Sequence, residues 1–166
     1  MLQPVVRRTW APEGQTPIHY SWDRRDRLSV ISAISVSAKR RRLGLYFDLH
    51  DHNIVTDDFE WFVERLLARL QRRIILVMDR WQVHRSGAGR LLRRFPRRVH
   101  IEWLPAYAPE LNPDEQVWKR TKYDDLANYI PDDIQTLGRA IRRSIRRSRG
   151  QQKLLRSFFQ HAKLEL

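Results

Sequence analysis

Asp79 and Glu115 are the side chains whose setting most suggests chemistry. Asp79 ends the apolar run "IILVMD", and the carboxyl ends of strands are where open α/β sheets collect their ligands. Glu115 follows 36 positions later in "LPAYAPELNPDEQVW", residues 104–118, where three prolines and Asn112 punctuate the chain before a helix-like stretch. Taken singly, each acid has a plain explanation. Asp79 reads as a turn or cap residue, and Glu115 as a first-turn acid meeting a helix dipole. Converging inside a field of arginines, they could instead hold divalent cations, because Mg²⁺ takes one or two carboxylates together with phosphate oxygens. Two such ions roughly 4 Å apart can activate a water or a 3′-hydroxyl and stabilise the leaving oxygen of a phosphodiester.

The charge balance points the same way. Thirty-two Lys and Arg against 19 Asp and Glu give +13 and a pI near 11.1 over 166 residues, which implies a polyanionic partner. Twenty-seven of those cations are Arg, the better bidentate phosphate ligand, although a GC-rich genome would give the same bias without selection for binding. There is no Cys, which excludes disulfides, thiolate zinc sites and Cys nucleophiles. No run reaches the ~18 apolar residues of a membrane span, and the first ten residues lack a signal-peptide core, so a cytoplasmic, nucleoid-associated protein is expected.

Positioning the two acids requires a frame, and the periodicities supply one. The first 20 residues hold three of the eight prolines and read as loop and edge. Residues 27–36 and 42–51 are β-branched and aromatic runs around the basic turn "SAKRRR", which predicts an antiparallel hairpin. A helix over 56–71 is predicted with Thr56 as N-cap and Phe59, Phe62, Leu66 and Leu70 on one stripe. Residues 74–78 read as a strand buried on both faces, followed by a short helix over 85–95 and a strand from 98, so that strand, helix and strand imply a parallel crossover. A helix over 114–126 begins just past Pro113. Another covers 132–150, with Ile134, Leu137, Ile141 and Ile145 on one side and Arg139, Arg142, Arg143, Arg146 and Arg147 on the other; a last helix takes 153–164. One α/β domain is expected.

"VMDRWQVHRS" followed by "LPAYAPELNPDEQVWKRTK" resembles the second half of the catalytic domain of DDE transposases, of the bacterial insertion-sequence type related to mariner elements. Leu104, Pro105, Tyr107, Pro109, Leu111, Asn112, Pro113, Glu115 and Trp118 match the family's run, and "RRTWAPEGQTP" resembles the segment after its first strand. The resemblance covers nearly the whole chain. It implies a ribonuclease-H-like mixed sheet with flanking helices and Mg²⁺- or Mn²⁺-dependent DNA cleavage and strand transfer in transposition. It further implies Asp79 and Glu115 as catalytic and metal-holding acids, with His84, Asn112 and Trp118 in support. DNA, both element ends and target, is the implied partner; homodimer formation is left open, and neither a membrane nor a small-molecule substrate is implied. Two departures stand out. Arg80 replaces the family's Asn after the second acid, and the family's first Asp, on the strand before the Trp10 region, has no counterpart. The reading is therefore a partial catalytic domain over 1–166, with the first strand missing, no separate helix-turn-helix domain, and no activity by itself.

Weaker signals are weighed beside these. "DLHDH", 48–52, reads more simply as a solvated loop than as a metal cluster. Asp48 is a conceivable replacement for the missing acid, but the resemblance puts it on the third strand, away from the centre. "SGAGR", 86–90, lacks the Lys-Ser/Thr of a phosphate loop. The six Trp are core residues by default. Arg142, Arg143, Arg146 and Arg147 form either a DNA-gripping face or a solvated one. The competing functional reading is a non-catalytic, arginine-rich nucleic-acid-binding protein, which would lose affinity smoothly with salt and need no divalent ion.

Overall fold

The computed structural model describes residues 5–15 and 27–166. The expectations for residues 1–4 and 16–26, Trp22 among them, lie outside these. Strands β1 (Ser29–Val36) and β2 (Leu43–His50) form the expected antiparallel hairpin, in register from Ser29 opposite His50 to Val36 opposite Leu43. Period-2 alternation gives the hairpin two useful faces. Val30, Ile34, Leu43, Leu45, Phe47 and Leu49 join a hydrophobic cluster on one face, while Ile31, Ala33 and Tyr46 join a second cluster on the other.

Helix α1 (Thr56–Leu70) covers the second face with Phe59, Phe62, Val63, Leu66 and Leu67. Thr56 is not its cap. Val55 holds that position, and the Asp58 carboxylate three residues in accepts the Val55 N–H at 2.9 Å, the reach-back bond of a capping box. Strand β3 (Ile74–Met78), helix α2 (Gln82–Arg94) and strand β4 (Val99–Trp103) make the parallel crossover, with β3 and β4 paired from Ile74 opposite Val99 to Met78 opposite Trp103. Gly87 lets α2 lie close on α1, since a Cβ there would stand 2.5 Å from Phe59 Cδ1. Gly87 of "SGAGR" is thus explained by helix packing.

The other face of the hairpin is covered by α3 (Asp114–Arg120), α4 (Ile134–Arg149) and α5 (Gln152–His161). Asp133 caps α4 by accepting the Thr136 N–H, and Leu137, Ile141 and Ile145 are fully buried, so the predicted stripe is the one the core uses. The helical path expected over 114–126 continues past α3, but as a wider π turn over Thr121–Asp125. The Ser144 hydroxyl donates to Asp125 Oδ2 at 2.6 Å and contacts Thr121 Oγ1 at 3.1 Å, tying this turn to α4.

Three expectations need correction. The strands do not form one mixed sheet: among the described residues β1 pairs with β2 and β3 with β4, and no strand joins β1 to β3. Nor is β3 buried on both faces. Ile74, Leu76 and Met78 pack toward α1 and α2, whereas Ile75 and Val77 are 68% and 57% exposed, because no described element covers that side. The tryptophans are mostly outside the core, with Trp10, Trp61, Trp81 and Trp103 all exposed and Trp118 partly buried against the first cluster.

Candidate active site

Asp79 follows the last residue of β3, where the Leu104 N–H still donates to Met78 O at 2.9 Å and keeps the segments after β3 and β4 side by side. Two donors fix its carboxylate, Trp81 N–H at 2.9 Å and His84 Nδ1 at 2.7 Å, and both reach Oδ1. Oδ2 is left for another ligand. The hydrogen bond from His84, more than any other contact, holds the Asp79 carboxyl below its ordinary range, so it is ionised at neutral pH. His84 is itself held, with its ring 4.8 Å from Phe59 and 5.3 Å edge-on from Trp81. Arg80, in place of the family's Asn, turns its Nε toward Leu104 O at 3.5 Å.

Glu115 is placed by the proline-rich turn. Tyr107 takes a left-handed φ of 58°, Pro109–Leu111 form a single 3-10 turn, and Asn112 Oδ1 accepts the Asp114 N–H at 3.1 Å. Asn112 and Pro113 carbonyls then receive the Glu115 and Gln116 N–H groups, both at 3.1 Å, so the first turn of α3 is wound before the helix proper begins. The Glu115 carboxylate has no ion pair or hydrogen bond with the described residues. Its neighbour Asp114 differs. Asp114 is hydrogen-bonded by the Ser32 hydroxyl of β1, while its Oδ1 is shut off from solvent without a partner. Burial, reinforced by the Glu115 charge, pushes the Asp114 carboxyl up to about 6. Sequence reading noticed Asp114 beside Glu115 but gave it no role; its position next to the proline turn gave no sign that it would face β1.

Asp79, His84, Asn112, Asp114, Glu115 and Trp118 all line one cleft of about 2290 Å³. The same cleft is walled by β1 on one side and β3 on the other, so it occupies the space between the two sheets. Asp48 is elsewhere. Arg65 Nη1 grips both of its oxygens at 2.9 and 2.8 Å, and it lines a separate groove of about 250 Å³ between α1, β2 and α4. Five arginines border that groove: Arg65, Arg69, Arg142, Arg146 and Arg149. Of the four arginines singled out from sequence, Arg142 and Arg146 are there, Arg147 approaches Asp125 at 3.8 Å, and Arg143 is exposed without bordering it. Arg65 and Arg69 were missed. They stand four apart on one helix, but nothing local says that α1 and α4 would share a groove.

A family model described as "DDE superfamily endonuclease" matches residues 1–137. Two solved chains match as well. One, from the "Crystal structure of the Mos1 Strand Transfer Complex", superposes with a TM-score of 0.60 at 15% sequence identity, over 98% of this chain and 47% of that one. The present chain thus spans about half the length of that relative and shares its fold. No curated protein sequence matches. No helix among the described residues is long and apolar enough to cross a membrane.

Proposed function

Since the chain belongs to the DDE superfamily endonucleases, we propose that it is the catalytic part of an insertion-sequence transposase, in which Asp79 and Glu115 hold Mg²⁺ or Mn²⁺ for DNA strand cleavage and transfer. The observation that carries this reading is the shared cleft, with one carboxylate oxygen of Asp79 and the whole carboxylate of Glu115 unclaimed by donors among the described residues. Hard oxygen donors of this sort suit Mg²⁺, and the unpartnered Asp114 Oδ1 beside them is a buried polar atom that a cation would satisfy. When bound, the ion would supply Lewis-acid stabilisation of charge on the phosphodiester oxygens. The chain's own residues do the positioning. His84 fixes the Asp79 rotamer, the turn over 105–113 aims Glu115, and Trp118 packs the helix that carries it.

The gap between β1 and β3 belongs to the same proposal. Among the described residues, two strand edges facing one cleft leave ladder donors and acceptors unmatched, and an additional strand between them would pair both. We place the third carboxylate of the site on that strand, so residues 1–166 alone are expected not to cleave. DNA would lie along the arginine groove, whose guanidiniums outnumber its single, already paired carboxylate. Incubating the 166-residue protein with DNA and Mn²⁺, alone and with a strand-bearing upstream segment fused, tests all three points. Cleavage by the fusion that Asp79→Ala or Glu115→Ala abolishes supports the proposal. Cation-independent binding without cleavage in either form would favour the non-catalytic, arginine-rich DNA binder instead.

A further inference from the structure

A second constellation stands apart from both clefts, where β2 hands over to α1. His50 is the last residue of β2, His52 follows two positions on, and Asp58 lies in the first turn of α1. One ligand atom from each comes within 4.8 Å of the other two. His52 Nε2 is 3.1 Å from Asp58 Oδ2, and His50 Nδ1 is 3.7 Å from Asp58 Oδ1. Ligands about 2.0–2.1 Å from a tetrahedral Zn²⁺ stand roughly 3.3 Å apart, close to the His52–Asp58 separation, while His50 approaches the other Asp58 oxygen from slightly farther. The imidazole rings meet edge to face, 5.1 Å between centroids at 72°, so stacking does not turn their nitrogens away from a common point.

We propose that His50, His52 and Asp58 form a binding site for a borderline transition-metal ion, Zn²⁺ being the natural occupant. One feature beyond proximity supports it. Asp51 Oδ1 accepts from His52 Nδ1 at 3.1 Å, which orients the ring with Nε2 toward Asp58, and a carboxylate behind a ligating histidine is the usual outer support of a zinc site. Two imidazoles and one carboxylate favour Zn²⁺, Co²⁺ or Ni²⁺ over Mg²⁺, which separates this site chemically from the all-oxygen site at Asp79 and Glu115. None of the three residues lines either cleft. The ion would therefore clamp the end of β2 to the start of α1 rather than take part in DNA cleavage.

Titration of the chelator-treated, dialysed 166-residue chain with Co²⁺ in excess Mg²⁺ provides the test, read by visible ligand-field absorption. The expected result is one equivalent of tightly held Co²⁺, displaced by Zn²⁺. His50→Ala and His52→Ala should each abolish the signal with the circular dichroism spectrum unchanged. Asp51→Asn, which keeps all three ligands, should weaken Co²⁺ about 10- to 100-fold by removing the outer support. Asp79→Ala and Glu115→Ala should leave the spectrum intact. No ligand-field absorption in the wild-type protein would overturn the site, and so would a signal that survives His50→Ala and His52→Ala or one that vanishes with Asp79→Ala.

Discussion

The buried Asp114 carboxyl loses its proton near neutrality at the expense of stability, and replacing it with Asn measures by how much. Its folded-state carboxyl titrates at about 6 against an ordinary 3.8, chiefly because burial penalises the charged form. A raised carboxyl stabilises the folded state fully below 3.8, loses that contribution as pH rises through about 6, and contributes nothing further above it. At ~1.36 kcal/mol per pH unit the difference is worth roughly 3 kcal/mol. Asn keeps the shape, stays neutral and can still take the hydrogen bond from Ser32. Urea unfolding of wild type and Asp114→Asn, with EDTA present so that no cation compensates the charge, should therefore give nearly equal stabilities at pH 3.5. At pH 7.5 the variant should be more stable by about 3 kcal/mol, a large fraction of a typical domain's total. An Asn variant no more stable at pH 7.5 than at pH 3.5, relative to wild type, would refute the reasoning and mean that Asp114 is hydrated or already charge-compensated.

Other consequences rest on particular side chains. His84→Ala removes the main cause of the lowered Asp79 carboxyl, so that group should titrate upward toward 3.8 by NMR; the stability it lends above that pH and loses on acidification should shrink with it. Gly87→Ala drives a methyl into the Phe59 ring and should cost about 1–3 kcal/mol in urea unfolding, largely recovered in the Phe59→Leu double variant. Ile141→Ala, at a fully buried position under the hairpin, should cost roughly 2–5 kcal/mol. Replacing Arg69, Arg142 and Arg146 with Ala should reduce the log-log salt slope of duplex DNA binding by about 0.9 for each phosphate that is no longer neutralised; an unchanged slope would make the groove a solvated surface.

Legibility from sequence followed the range of the interactions. The hairpin, α1, the β3-α2-β4 crossover and the apolar stripe of α4 were readable because period-2 and period-3.6 patterns are local. The proline-rich turn was readable because Pro109, Asn112 and Pro113 each restrict the backbone by themselves. What failed was nonlocal. An apolar run such as Ile74–Met78 looks the same whether one face or both are covered, and only the absence of a described element over its second face exposes Ile75 and Val77. The tryptophans were misjudged for the same reason, since hydrophobic type does not say which side an element turns to its neighbour. Asp114 was given no role because its partner Ser32 is 82 positions away, and the "DLHDH" loop was discounted because its third member, Asp58, belongs to the next helix.

The central claim is that Asp79 and Glu115 share a cation, and Mn²⁺ binding followed by electron paramagnetic resonance tests it most directly. The measurement is best made in a His52→Ala background so that the imidazole cluster does not contribute. Asp79→Ala and Glu115→Ala should each weaken Mn²⁺ by on the order of tenfold or more, as expected for removal of one charged oxygen ligand of two, and the double variant should keep only the weak binding of a bare surface. Undiminished Mn²⁺ binding in both single variants would contradict the account.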